Sequence, residues 1–224
     1  MKTRIIMTGT TGMLGQNLLF EILRQYPFSQ LEVIALGRST TEQTLHQRMR
    51  AILASDTFAA LRLSWADIEH LLAQVIHCIE SDFGANACGL APADRKMLSA
   101  CETDWFFHVA GLTDLRATLA AEDAVKRVNV AGTKHVLELA SSLHLREFAY
   151  VGTAYACGGK TGPVAASSTS HGPFRNAYEQ SKLTAELLVR GFSERTAVKC
   201  RYFRPSTICG CLDGERRGIA SKFE

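Results

Sequence analysis

The chain has 224 residues, which suits one globular domain with a small appendage and leaves enough length to bury a core. With 46% hydrophobic and 21% charged residues, and a formal net charge of +3, nothing points to disorder, nucleic acid or a membrane surface, although an anionic ligand is not opposed. The apolar run Ile5-Ile6-Met7 is too short for a signal peptide, and no segment reaches the roughly 20 apolar residues of a membrane span.

In chain order, the apolar residues 5–8 stop at a glycine and predict a buried strand. Leu14, Leu18, Leu19, Ile22 and Leu23 recur at helical spacing, so 13–25 reads as a helix ended by Pro27. Residues 31–36 predict a second strand. Residues 40–55 predict a helix carrying Leu45, Met49, Ile52 and Leu53, and 56–72 also reads as helical. A third strand is expected at 75–79, a helix with Pro92 in its first turn at 92–101, and a fourth strand at 105–109. One helix is expected over 124–143, then a fifth strand at 147–151. A loop rich in Gly, Ser and Thr follows over 156–175, long enough to suggest function. The pattern closes with a helix at 176–192 and a sixth strand at 198–203. Strands alternating with helices predict an α/β fold, a doubly wound parallel sheet with helices on both faces.

The seven cysteines (Cys78, Cys88, Cys101, Cys157, Cys200, Cys209 and Cys211) are odd in number and include no Cys-x-x-Cys pair. That usage fits a reducing cytoplasm. Cys209 and Cys211 have no nearby partner ligands, so no metal site is expected.

Thr8 to Gly15 reads Thr-Gly-Thr-Thr-Gly-Met-Leu-Gly, between a predicted strand and a predicted helix. In that context glycines have separate jobs. Gly9 permits the tight turn, Gly12 lets backbone approach a pyrophosphate, and Gly15 allows close helix packing. The helix N-terminus adds N–H donors for phosphate. Thr11, Met13 and Leu14 complete this candidate cofactor turn. After the second strand comes Arg38 rather than an acidic residue, and a guanidinium pairs with a 2′-phosphate. Arg48 is a second candidate for the same phosphate. Both favour NADP(H).

Tyr178 and Lys182 lie four apart on one predicted helix, which puts phenol and ammonium on one face. A cation beside a phenol stabilises the phenolate, so the pair can exchange a proton with a carbonyl or carbinol oxygen. Thr153 ends the fifth strand, where a hydroxyl faces the ligand crevice and can hold a developing oxyanion.

Together these segments resemble the extended short-chain dehydrogenase/reductase superfamily, an NAD(P)-binding Rossmann fold. Thr8–Gly15 is similar to its glycine turn, His108-Val109-Ala110-Gly111 to its His-x-Ala-Ala signature, and Asn129-Val130-Ala131-Gly132-Thr133 to its Asn-x-x-Gly-Thr helix start. The resemblance implies a catalytic set of Thr153, Tyr178, Lys182 and Asn129. It implies cofactor contacts from Asp82 and Phe83 after the third strand, from Val109, Ala110 and Gly111, from Tyr178 and Lys182, and from Pro205 in the Arg204-Pro205 turn. Gly37-Arg38 with His46–Met49, Tyr150–Tyr155 and Cys88–Asp94 further resemble the thioester-reducing branch, the fatty acyl-CoA reductases and terminal thioester reductase domains. Gly152 and Gly111 depart from its usual serine and alanine.

The implied function is NADPH-dependent reduction of a carbonyl or acyl thioester, on a small-molecule or carrier-bound acyl substrate, in the cytoplasm, with no nucleic-acid partner; the oligomeric state is left open, a homodimer being one option. The alternatives are a nucleotide-sugar epimerase or dehydratase, a hydroxysteroid-type dehydrogenase, or an NADP-binding protein without turnover. Residues 1–210 are read as the cofactor domain. Residues 211–224 are read as the start of a truncated or missing C-terminal substrate portion.

Overall fold

A computed structural model of the chain describes residues 2–208. Cys209, Cys211 and the expected boundary at 210/211 lie outside the described residues. The elements run β1 (Thr3–Thr8), α1 (Met13–Gln25), β2 (Leu31–Gly37), α2 (Leu45–Leu53), α3 (Trp65–Gln74), β3 (Ile76–Glu80), α4 (Pro92–Ser99), β4 (Glu102–His108), α5 (Leu119–Val125), α6 (Gly132–Ser141), β5 (His144–Val151), α7 (Ala177–Arg195) and β6 (Lys199–Phe203).

The six strands form one parallel sheet in the order β3-β2-β1-β4-β5-β6. Thr8, the last residue of β1, is in register with Leu36 on one side and His108 on the other. The chain departs from β1 to β2 in one direction and reaches β4 in the other. That reversal opens a crevice above the carboxyl ends of the strands, which is where such sheets bind ligands.

Alternation along the strands sorts their side chains to two cores. Ile5, Met7, Val33 and Ala35 meet α1, α2 and α3 through Leu19, Leu45, Met49 and Leu71. Ile6, Ile34, Leu36, Phe106 and Phe148 meet α4, α6 and α7 through Leu98, Val136, Ala185 and Val189. Each fully buried aliphatic side chain contributes about 1.5–3 kcal/mol. The sheet is therefore held rigidly from both faces under the crevice.

Three helical expectations change in detail. The helix expected over 40–55 begins only at Leu45, because Thr44 and Gln47 form a reciprocal capping box there. The stretch 56–72 splits into a 3₁₀ turn (Asp56–Leu61) and α3. Arg62 takes a left-handed conformation (φ 50°), and Ser64 with Asp67 forms a second capping box. The single helix expected over 124–143 is α5, a π-helical turn over Lys126–Ala131, and α6. In that wide turn the Gly132 N–H donates to the Arg127 carbonyl, five residues back. The Thr133 hydroxyl donates to the Asn129 carbonyl at 2.6 Å.

Candidate active site

A cleft of about 500 Å³ lies in the crevice. Gly9, Thr11, Gly12, Met13, Leu14, Gly15, Arg38, Arg48, Asp82, Phe83, Val109, Ala110 and Gly111, all expected from the sequence, line it. Thr113, Arg127 and Val128 line it too, and no sequence motif marked them.

The three glycines do different work. Gly9 has φ +75°, and a Cβ there would stand 2.6 Å from the Ala110 nitrogen. A Cβ on Gly15 would stand 2.0 Å from the Gly9 carbonyl oxygen, so α1 packs on the turn itself. Gly12 is the N-cap of α1 with extended backbone, and a Cβ there would meet only the Gly9 oxygen, at an ordinary 3.5 Å. The fold does not need glycine at that position. What its missing side chain leaves open is space in the cleft beside the first N–H groups of α1, a fit for a pyrophosphate. Thr10 adds a buried hydroxyl with no partner among the described residues.

At the β2 end, the Arg48 guanidinium donates to the Arg38 carbonyl at 2.6 Å. This holds α2 against the strand exit. The Glu80 carboxylate accepts from the Ser39 hydroxyl and from the Ser39 and Leu45 N–H groups. Burial works to raise its pKa, but these bonds and the Arg48 charge hold it below the ordinary carboxylate value. Glu80 thus shapes the loop that presents the two arginines. At the β3 end, Asp82 Oδ1 accepts from the Gly84 N–H at 3.0 Å, and the Phe83 carbonyl is 2.8 Å from His135 Nδ1. The Arg127 stem crosses Gly84, whose Cβ position is 3.7 Å from Arg127 Cγ.

A buried hydrogen-bond chain joins this cleft to α7. Thr8 Oγ1 accepts from the Val109 and Ala110 N–H groups, each at 3.1 Å, and lies 2.8 Å from His108 Nδ1. His108 Nε2 lies 3.0 Å from Thr133 Oγ1. Because the Thr133 hydroxyl donates to Asn129, it accepts from His108 Nε2–H, and Nδ1 accepts from Thr8. The ring is neutral: burial first, then the Lys182 charge, pushes its pKa down to about 3. Asn129 accepts from the Leu112 N–H at 2.7 Å and donates at 2.9 Å both to the Leu112 carbonyl and to Ser181 Oγ on α7.

Asn176 caps α7 by accepting from the Glu179 N–H at 3.0 Å, which sets the helical phase. Tyr178 therefore lies in the first turn and Lys182 one turn later on the same face. Lys182 is only 5% exposed; its ammonium donates to the Val151 carbonyl at 2.8 Å and lies 4.9 Å from the Tyr150 ring centroid. Burial drives its pKa down to about 8, with Glu186 opposing. A Cβ on Gly111 would be 3.5 Å from Lys182 Nζ and 3.4 Å from Asn129 Oδ1. Gly111 is thus shared by the cleft and the Lys182 cluster.

Thr153 is 4% exposed. Its Oγ1 accepts from the Tyr155 N–H at 3.3 Å and donates to the Pro205 carbonyl at 3.4 Å. Pro205 stands beside Thr153 and not on the cleft wall, which makes it a partner of the strand ends. Thr153, Tyr178, Lys182 and Pro205 are not among the residues that line the cleft; of the four, Lys182 is the one placed against it, at Gly111. Among the described residues there is no group of three or more His, Cys, Asp or Glu side chains that could hold a metal. No described helix is long and apolar enough to cross a membrane.

The sequence compares with known proteins over most of its length. It is 31% identical to fatty acyl-CoA reductase 2 of Homo sapiens over 156 residues, which is 67% of this chain and 28% of that protein. It is 33% identical to fatty acyl-CoA reductase 1 of Mus musculus over 153 residues, 68% of this chain and 28% of that one. The chain thus spans little more than a quarter of the curated relatives it matches. The crystal structure of the terminal R domain from the myxalamid PKS-NRPS biosynthetic pathway superposes with a TM-score of 0.76 at 28% identity, covering 93% of this chain and 50% of that one. An NAD-binding family described as male sterility protein matches residues 7–224. With the glycine turn, the crevice and that match in agreement, the chain belongs to the male sterility protein family of NAD-binding domains.

Proposed function

We propose that this chain is the cofactor-binding and catalytic part of an NADPH-dependent reductase of acyl thioesters, with Thr153, Tyr178 and Lys182 as its acid/base set and Asn129 as their anchor. One observation carries the reading: Gly111 lines the dinucleotide-sized cleft and also lies against the buried Lys182 ammonium. A dinucleotide laid along the cleft from Arg38 to Gly111 ends where the Tyr178–Lys182 pair begins. The name of the curated relatives, fatty acyl-CoA reductase, supports an acyl thioester as the substrate, and the likeness to a terminal R domain of a PKS-NRPS pathway supports a carrier-bound one.

Gly9, Gly12, Gly15 and the start of α1 would hold the pyrophosphate, Arg38 and Arg48 the 2′-phosphate, and Asp82 and Phe83 the adenine. When bound, NADPH supplies the hydride. The protein's own residues do the rest. Thr153 donates to the substrate carbonyl oxygen and stabilises charge developing there. Tyr178 delivers the proton to that oxygen, and the resulting hemithioacetal collapses to an aldehyde as its C–S bond breaks and the thiol leaves. Lys182, charged below about pH 8, stabilises the negative charge left on the phenolic oxygen. Asn129, through Ser181, holds α7 at its distance from the cleft.

The test is a fluorescence titration with NADPH and NADH on the wild type and Arg38→Ala. Preferred NADPH binding that weakens about ten-fold or more in the variant, with NADH binding unchanged, supports the reading. It licenses acyl-CoA assays with Tyr178→Phe as control. Equal binding of NADH would overturn the arginine assignment and move the weight to an epimerase or dehydratase.

A further inference from the structure

Four residues past Lys182 on α7 stands Glu186, a carboxylate with 0% exposure that the proposed reaction does not use. Its Oε1 accepts from Arg190 Nε at 2.9 Å and from Nη2 of Arg190 and Arg204, each at 2.8 Å. Its Oε2 accepts from Arg204 Nε at 2.7 Å. The Arg204 fork engages both oxygens, a geometry that fixes angle as well as distance. A buried ion pair of this kind contributes little net stability, because desolvation offsets attraction; fixing register is its best-attested use.

What it registers follows from the chain. Arg204 opens the turn that leaves β6, and the Pro205 carbonyl accepts from the Ala154 N–H at 2.9 Å and from the Thr153 hydroxyl. The exit of β5 passes the same carboxylate: a Cβ on Gly152 would lie 3.6 Å from Glu186 Oε2. We propose that Glu186 is a positioning residue, which holds the Thr153 hydroxyl, through Arg204 and the Pro205 carbonyl, in fixed relation to the Lys182 ammonium one turn earlier on α7. Its catalytic consequence rests on the reductase reading; the placement of Lys182 and Thr153 does not.

Charge gives a second handle. Lys182 lies against Tyr150 on β5 and its charge acts on His108 on β4; Tyr178 is one turn back and Glu186 one turn on along α7, with Arg190 and Arg204 bonded to Glu186. Glu186 is the carboxylate among these groups, and it opposes the effect of burial on Lys182. Neutralising it leaves two guanidinium groups and no counter-charge, so Lys182 releases its proton at lower pH.

The experiment compares Glu186→Gln, Glu186→Asp and Arg204→Lys with the wild type. Lysine Cε-labelled protein is titrated by NMR, with the Lys182 signal assigned from Lys182→Arg. Glu186→Gln is expected to lower the Lys182 midpoint by about one pH unit, while Glu186→Asp and Arg204→Lys, which keep the charges, leave it near the wild-type value. All three are expected to lower kcat by about ten-fold or more with KM for NADPH changed less than about two-fold. The basic limb of the kcat profile moves down in Glu186→Gln alone. If Glu186→Gln does not fold, Glu186→Asp and Arg204→Lys carry the test, since both keep charge and lose reach or fork. A folded Glu186→Gln with the wild-type Lys182 midpoint and kcat would overturn the proposal. So would losses in Glu186→Asp and Arg204→Lys that fall equally on kcat and NADPH affinity. A Lys182 midpoint that shifts in Glu186→Gln, with a wild type that turns over no acyl thioester, would sink the reductase reading and leave the positioning role standing.

Discussion

The Lys182 ammonium donates to the carbonyl of Val151, the last residue of β5, at 2.8 Å. The cation is therefore tied to the strand that delivers Thr153 two residues later. Burial holds its pKa down to about 8, so the charged form is present below that pH and disappears above it. Reduction is expected to fall as pH rises through about 8. Lys182→Met should remove that limb and about 10²–10⁴ of kcat. A kcat profile from acid to alkaline pH checks both, and a basic limb retained in the variant would exclude Lys182 as its source.

Tyr178→Phe keeps the ring and removes the proton donor. The expected result is a loss of about 10²–10⁴ in kcat with NADPH affinity unchanged, because Tyr178 is not part of the cleft lining. Steady-state kinetics paired with a binding titration separates the two quantities.

Gly12→Ala and Gly15→Ala should fail in opposite ways. The Gly15 Cβ would collide with the Gly9 carbonyl at 2.0 Å, so this variant should lose several kcal/mol of stability, read as a lowered Tm. The Gly12 Cβ meets nothing closer than 3.5 Å, so its variant should fold with a Tm near the wild type yet bind NADPH about ten-fold more weakly. Equal affinity in Gly12→Ala would mean that no phosphate approaches there.

His108 sets an acid limit on the fold. Its ordinary pKa of 6.5 falls to about 3 in the folded chain, so the neutral ring is the folded form. The unfolded chain takes up a proton below 6.5 and the folded chain does not, so this stability is complete above 6.5 and is lost as pH falls towards 3. By about pH 4 the loss is on the order of 3 kcal/mol. Urea midpoints measured between neutral pH and about pH 4 should fall, and fall less steeply in His108→Asn. Parallel curves for the two proteins would place the acid sensitivity elsewhere.

Local patterns gave away the parts of this molecule whose chemistry is local. Gly9 and Gly15 are legible because a positive φ and a close approach exclude other residues there. Tyr178 and Lys182 are legible because helical spacing alone puts them on one face. The wide turn around Asn129 was not legible, since 124–143 keeps an unbroken apolar periodicity and what widens the turn is tertiary: the anchor on Leu112 and Ser181. Arg127 was missed because nothing in its neighbours marks a cleft wall. In the sequence Glu186 is one more charge on a helix, and only the meeting of α7 with the turn after β6 makes it a buried pair.

The wide turn at Lys126–Ala131 also constrains how this domain can be altered. A π turn is an α-helix carrying one surplus residue, and it is less stable than the regular form. Deleting one residue there would let α5 and α6 run on as a single helix with regular hydrogen bonding. The same deletion would swing every side chain on one flank of the cut through about 100°. The Asn129 anchor would lose either Leu112 or Ser181. Length in this segment is thus under a stricter rule than composition: an exposed residue off the cleft such as Lys126 can change with little effect, and a single-residue gap cannot be absorbed.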